Sequence, residues 1–297
     1  MSMNAKNLIR FVDLVQGTPE WKEFRKGKIG SSMAASIRGI GFKTPLQLFG
    51  DIMEDRETPD NEAMRRGRDM EPVIRDWLNH THSVEFKPVV VQHPTADWHI
   101  SSLDGIVLYE DGRPPFVTEI KHPGRVDHEM ALDGIVPEKY RMQCLHILED
   151  IPSAEKVLYC SYQNPESVAQ IWVERDEYEM PIQFAEELAF FSKLISCRPP
   201  EPTAKDWIDI YDGDALSLAN EYRFLMDQLS EMEKQAEDLK KKIVEKMGTG
   251  NRAKIGDLKV QKVIRPGAVD YAKIEALNGL DLNPYRKAPI TSWRLSS

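Results

Sequence analysis

Apolar residues change their period along the chain, and the changes mark its elements. Across residues 61–81 they recur at helical spacing, through Met64, Met70, Ile74, Trp77 and Leu78. Residues 84–92 and 98–102 form short β-like runs, and two more apolar runs, 101–109 and 116–121, flank a polar Gly/Pro turn. That last pair predicts a hairpin. Pro137 opens a helix carrying Tyr140, Cys144, Ile147 and Leu148, residues 157–162 and 168–173 are β-like, and 176 to about 197 is an amphipathic helix. Two helix starts come earlier, Thr18-Pro19-Glu20 and Thr44-Pro45, each pairing an N-cap threonine with proline at the first helical position. Helix, a block of strands, helix, two strands and helix predict an α/β fold, a mixed central β-sheet flanked by helices.

The pattern shifts after Cys197. Arg198-Pro199-Pro200-Glu201-Pro202 is a stiff connector. Residues 214–247 then read as a charged helix, with Tyr222, Leu225, Leu229, Met232, Ala236, Leu239 and Ile243 alternating at three- and four-residue steps. This is the seam of a short coiled coil or helical hairpin, and docking on the chain's own body and self-association are both open. Residues 253–255 and 258–263 around Gly256-Asp257 predict a small hairpin, followed by a helix from Asp270. The expected division is a domain over residues 1–203 and a C-terminal extension over 204–297.

Composition narrows the class. With 41% hydrophobic and 29% charged residues, the chain reads as an ordinary soluble globular protein. No apolar run approaches the length of a membrane span, and residues 1–11 lack a signal-peptide core. Cys144, Cys160 and Cys197 form no CxxC pair, which argues against a structural zinc or iron–sulfur site and fits a reducing cytoplasm. The histidines lack the i, i+4 pairing of a zinc helix and are set aside. The net charge of −9 disfavours a protein that coats DNA non-specifically, but is compatible with an enzyme holding DNA in a locally basic channel.

The chemistry-bearing residues centre on the predicted hairpin. Side chains alternate across a strand, so Glu119 and Lys121 share a face, and pairing the strands brings Asp104 beside them. Two carboxylates and a lysine at a sheet end are costly to bury unless a divalent cation compensates them, which is the arrangement of metal-dependent phosphodiester hydrolysis. The same alternation also describes a half-exposed strand. Glu71, inside the 61–81 helix, is a further candidate ligand, and Pro72 beside it either kinks that helix or starts a second one. Arg25 and Ser32 bracket a basic, glycine-rich stretch that opens a helix, which is a phosphate pocket or a solvated helix end. Gln143, after Tyr140, is placed to bond the lysine or a water. Lys22, Lys26, Lys28, Lys43, Arg65, Arg66 and Arg68 lie near these residues in sequence and could neutralise a DNA backbone.

Taken in order, Trp21…Arg25…Gly30-Ser31-Ser32, Gly67-x-x-x-Glu71-Pro72, Ser102-Leu103-Asp104-Gly105, Glu119-Ile120-Lys121 and Tyr140-x-x-Gln143 resemble the YqaJ-type viral recombinases. That family is related to the phage lambda exonuclease within the PD-(D/E)xK nucleases. The resemblance covers roughly residues 18–200, and the Tyr285-Arg286-Lys287…Trp293-Arg294-Leu295 tail is also similar. It implies a restriction-endonuclease-like core and Mg²⁺-dependent, 5′-to-3′ digestion of one strand of linear duplex DNA, with Mn²⁺ as a substitute and one or two ions. The 3′ tails would pass to a single-strand annealing protein, in the cytoplasm of a bacterial host. By motif position, Asp104, Glu119 and the Ile120 carbonyl would bind metal, with Glu71 supporting it directly or through water. Lys121 would position or deprotonate water, Gln143 would hold the arrangement, and Arg25 and Ser32 would hold the 5′ phosphate. Many relatives carry proline where this chain has Leu103. A homo-oligomer is implied, either the ring-shaped trimer of the lambda enzyme or another assembly. An endonuclease, a 3′-directed nuclease and a non-catalytic DNA-binding scaffold are the alternatives.

Overall fold

The computed structural model describes residues 9–56 and 61–265, and beyond these only positions 267, 274 and 280. The expected helix from Asp270 and the terminal motif lie outside the described residues. The chain divides into two compact units, Met1–Ile208 and Asp209–Ser297.

In the first unit, both threonine–proline starts begin helices. Thr18 accepts the Trp21 N–H ahead of α1 (Pro19–Phe24). Thr44 and Gln47 form a reciprocal capping box ahead of α3 (Pro45–Met53). Asn61 caps α4 (Glu62–His82), which continues through Pro72 as one helix. The proline removes one backbone donor, yet Ile74 and Leu78 on the same helix are fully buried, and their packing holds the helix together across the gap.

The sheet has seven strands. Its path runs β1 (Arg10–Val12), β3 (Lys87–Gln92), β4 (His99–Val107), β5 (Phe116–Lys121), β6 (Lys156–Asn164) and β7 (Ser167–Glu174), and β2 (Ile29–Gly30) pairs with β4 off that path. The β4–β5 pair is antiparallel, as the hairpin predicts, whereas β5–β6 is parallel. A parallel pair needs a crossover, supplied by α5 (Arg125–Leu132) and α6 (Glu138–Asp150). One core lies between the sheet and α6, including Leu103, Val117, Leu145, Leu148 and Tyr159. A second joins Ile74 and Leu78 of α4 to Ile120, Leu158 and Cys160. A third packs α3 against α7 (Glu179–Ile195) through Phe49, Phe190 and Leu194.

Strand β4 is irregular where it matters. Val89 pairs Leu103 but Lys87 pairs Ile106, so Asp104 and Gly105 together face Pro88 alone. This bulge changes the phase of the strand, letting both Leu103 and Ile106 enter the same core. A Cβ on Gly105 would come within 2.7 Å of Phe86 Cβ, so the bulge position accepts only glycine. Ile100 pairs both β3 and β2, and Ile106 pairs both β3 and β5, so β2 and β5 share one edge of β4. Between them residues 101–104 are left without a ladder partner on that edge. The sheet is split there.

In the second unit, Asp212 caps the 35-residue α8 (Gly213–Met247), none of whose residues is buried. It is followed by the hairpin of β8 (Arg252–Ile255) and β9 (Leu258–Gln261).

Candidate active site

The split in the sheet gathers the acids. The β4–β5 ladder stops at Gly105–Thr118, one residue short of Asp104 and Glu119. Where the ladder would continue, Asp104 Oδ2 accepts the Ile120 N–H at 2.7 Å. The Asp104 carbonyl, released by the bulge, accepts Arg75 Nε at 2.5 Å, and Arg75 also donates to Glu71 one helical turn away. Lys121 Nζ donates to Glu119 across the i, i+2 spacing of β5. The structure thus brings Asp104, Glu119, Lys121 and Glu71 together from β4, β5 and α4.

Their electrostatics are strained. Glu119 is 1% exposed, and its Oε2 has no hydrogen-bond partner. Burial and then the neighbouring Asp104 push its pKa up to about 8, against the pull of Lys121. Burial also raises Asp104, and burial followed by Asp104 raises Glu71 despite Arg75. Lys121 moves the opposite way: burial would lower it, but Glu119 and Asp104 hold it well above the ordinary lysine range. With these neighbours it is an ammonium, a donor rather than a base. Two cations cannot satisfy three clustered carboxylates, and the orphaned Glu119 oxygen is a free ligand atom. This donor set, hard and oxygen-only, fits a divalent cation of the Mg²⁺ type.

The other expected residues fall around this cluster unevenly. Tyr140 on α6 lies with its ring centroid 5.7 Å from Lys121 Nζ. The side chain of Gln143, half-buried one turn further along, makes no hydrogen bond among the described residues, to the lysine or otherwise. Trp21 Nε1 donates to Ser102 Oγ at 3.0 Å, which fixes α1 at the split stretch of β4. Arg25 stacks on Trp21, its guanidinium carbon 4.5 Å from the ring centroid. Burial lowers its pKa, and among the described residues no carboxylate pairs with it. Ser31 and Ser32 open a three-residue 3₁₀ turn, Ser31–Met33, that runs straight into the short helix α2 (Ala34–Ile37), with Ser31 buried and Ser32 exposed. The parallel bridge of β2 to His99 and Ile100 carries that turn alongside the same split. Lys26 is paired instead with Glu23 and Asp55, and Lys28 lies over Phe24.

The histidines set aside in the sequence form a second buried cluster. His99 donates from Nδ1 to Asp150 at 2.6 Å and from Nε2 to Glu187 at 2.8 Å. His146 bonds Glu187 at 3.1 Å and the Ile100 carbonyl at 3.0 Å, while Ser101 and Gln183 complete the shells of Asp150 and Glu187. Ligand atoms of His99, His146 and Glu187 lie within 4.8 Å of one another. However, the two imidazoles stack at 3.6 Å and 9°, so an ion shared between them would lie far outside both ring planes, where neither lone pair points. The cluster is a hydrogen-bonded network. Its sequence signal was the buried stripe of α7, where Gln183 and Glu187 occupy apolar positions among Met180, Phe190 and Leu194.

Fold and site together define a mixed α/β protein with a buried carboxylate–lysine centre at a split in its sheet. The fold is that of the alkaline exonuclease LHK-Exo from Laribacter hongkongensis, at a TM-score of 0.53 and 22% identity over 61% of this chain and 94% of that one. A second structure of LHK-Exo, in complex with dAMP, superposes equally well. The family model of the YqaJ-like viral recombinase domain matches residues 20–149. Protein YqaJ of Bacillus subtilis (strain 168), itself uncharacterised, is 21% identical over 282 residues, 86% of either chain.

Proposed function

We propose that the protein is a Mg²⁺-dependent 5′-to-3′ exonuclease on linear duplex DNA, generating 3′ single strands for recombination by strand annealing. The observation that carries this reading is the electrostatic clustering of Glu71 and Glu119 with Asp104, whose charge adds to burial in raising both, with Glu119 Oε2 left unbonded. Arg25, which no carboxylate among the described residues pairs, is held by Trp21 against Ser102 of the same strand as Asp104. Asp104 and Glu119 would hold the cation with the Ile120 carbonyl, and Glu71 would support it. When bound, the ion would supply Lewis acidity toward the scissile phosphate. Lys121, kept protonated by the acids, orients the attacking water and stabilises charge on the phosphate, and Gln143 steadies that arrangement. Arg25 and Ser32 receive the terminal 5′ phosphate across the split of β4, which makes a strand end the preferred substrate. The shared fold with an alkaline exonuclease and the match to the YqaJ-like family model support the same reading.

The test uses a 5′-phosphorylated linear duplex, its unphosphorylated counterpart and a covalently closed circle, each with Mg²⁺ and separately with Mn²⁺. The linear phosphorylated duplex is degraded from its 5′ ends fastest, and the circle survives. Digestion of the circle, or release of nucleotides from 3′ ends, overturns the proposal.

A further inference from the structure

Helix α8 presents an exposed apolar seam. The repeat of 4-3-4-3 steps noted from Tyr222 to Ile243 extends back to Leu218, giving eight seam positions over 26 residues, about 39 Å of helix. Leu218, Tyr222, Leu225, Leu229, Met232 and Leu239 are all exposed, and no residue of the helix is buried. A spacing of 3.5 residues is that of a left-handed two-stranded coil, since a straight helix on a globular core follows 3.6.

We propose that α8 is a self-association surface, and that it pairs with the α8 of a second copy in antiparallel orientation. Orientation follows from volume and charge. If two copies run antiparallel about the midpoint of the seam, residue n faces residue 461 − n, and every seam position meets another. Leu229 then faces Met232, and the smallest seam residue, Ala236, faces Leu225. Tyr222 faces Leu239, Leu218 faces Ile243, and Lys246, next along the repeat, faces Ala215. On the flanks, Glu221 meets Lys242 twice by symmetry and Gln228 meets Gln235.

A parallel pair has none of this. Ala236 would face Ala236, leaving a cavity, and Lys246 would face its own copy. Its flanking contacts would be Glu221 with Met226, Gln228 with Glu233, Gln235 with Lys240 and Lys242 with Met247, none an ion pair. The helix also carries its charge asymmetrically: Glu231, Glu233, Glu237 and Asp238 precede Lys240, Lys241, Lys242 and Lys246. Antiparallel pairing sets Lys240, Lys241, Lys242 and Lys246 opposite residues 215–221, where Glu221 is the one charged side chain.

Sedimentation equilibrium of the full chain over a range of concentrations, with circular dichroism to check that helix content is kept, tests this. E221K alone and K242E alone each set like charges opposite one another at two symmetric places, and each weakens association roughly tenfold. The double exchange E221K/K242E recovers most of that loss, because the pair is restored with its signs reversed. In a parallel coil residues 221 and 242 are about 31 Å apart along the axis and the exchange has nothing to restore. A chain that stays monomeric at every concentration, as it would with the seam docked on its own body, overturns the proposal. So does an oligomer whose association is the same in all four proteins, or one in which the double exchange is as weak as the singles.

Discussion

One strand supplies two buried ionic clusters, and they are built to opposite ends. Before the bulge, His99 and Ser101 feed a network in which both His99 nitrogens meet a carboxylate and Asp150 and Glu187 are bonded several times over. At the bulge, Asp104 joins Glu119 and Glu71 in a group whose carboxylates oppose one another and leave an oxygen unbonded. The first cluster ties β4 to α6 and α7 and gives each carboxylate and imidazole a partner; its one unbonded oxygen is the neutral amide oxygen of Gln183. The second is short of positive charge, which a proton or a cation can supply. Buried charge in a fold is thus no guide to function until its satisfaction has been counted.

The largest expected effect comes from removing a carboxylate at the unsatisfied cluster. Glu119→Gln should reduce phosphodiester cleavage by at least about a thousandfold, while duplex binding measured in Ca²⁺ changes little. Its effect on stability should run the other way. A carboxyl whose pKa rises to about 8 on folding lowers stability as pH climbs from its unfolded value through 8, so the glutamine variant should melt at a higher temperature than the parent at pH 8. Mg²⁺ should raise the parent's Tm and move that of the variant far less. Equal shifts in both proteins would remove Glu119 from the ion's ligands.

At the satisfied cluster the same kind of change should cost stability. Glu187→Ala strands donors from both imidazoles and from Gln183, and should destabilise the fold by about 3–5 kcal/mol in a denaturant titration. The pH dependence sharpens the contrast. Burial lowers the His99 pKa, but Asp150 and Glu187 outweigh it and bring it up to about 9. A group raised on folding stabilises fully below its unfolded pKa of about 6.5 and loses that contribution as pH rises through 9. The parent should therefore lose stability between pH 7 and 9.5, by a few kcal/mol, and His99→Gln should flatten that slope. An unchanged slope would show that the proton on His99 is not what the network holds.

How much of this was readable beforehand differs between the clusters. Strand alternation put Glu119 and Lys121 on one face, and the Gly/Pro turn returned them to Asp104, because local periodicity encodes both facts. The bulge that takes Asp104 out of the regular ladder depends on a register with β3 that no local pattern carries. The His99 network joins residues 51 and 41 positions apart, from a strand and two helices, and only the packed fold brings them together. The helical zinc pattern pairs two histidines four apart, whereas α6 carries a histidine and an aspartate at that spacing, His146 and Asp150. Helix α4 shows the limit of breaker rules: Pro72 left its continuity open, and burial of Ile74 and Leu78 decided it.

The smallest effect expected is the one that separates strand-end recognition from catalysis. Arg25 touches none of the carboxylates; it stacks on Trp21, which is bonded to Ser102 two residues before Asp104. If its guanidinium reads a terminal phosphate, Arg25→Ala should lose about tenfold in kcat/KM on 5′-phosphorylated duplex, through KM, and little on the unphosphorylated duplex. Ser32→Ala should act in the same direction and more weakly, because a neutral hydroxyl contributes less than a charge-assisted bond. Neither variant should alter the Mg²⁺ shift in Tm, since neither side chain bonds to the acids. A loss that is equal on both substrates would assign Arg25 to general backbone attraction, and the preference for a phosphorylated end would then need another source.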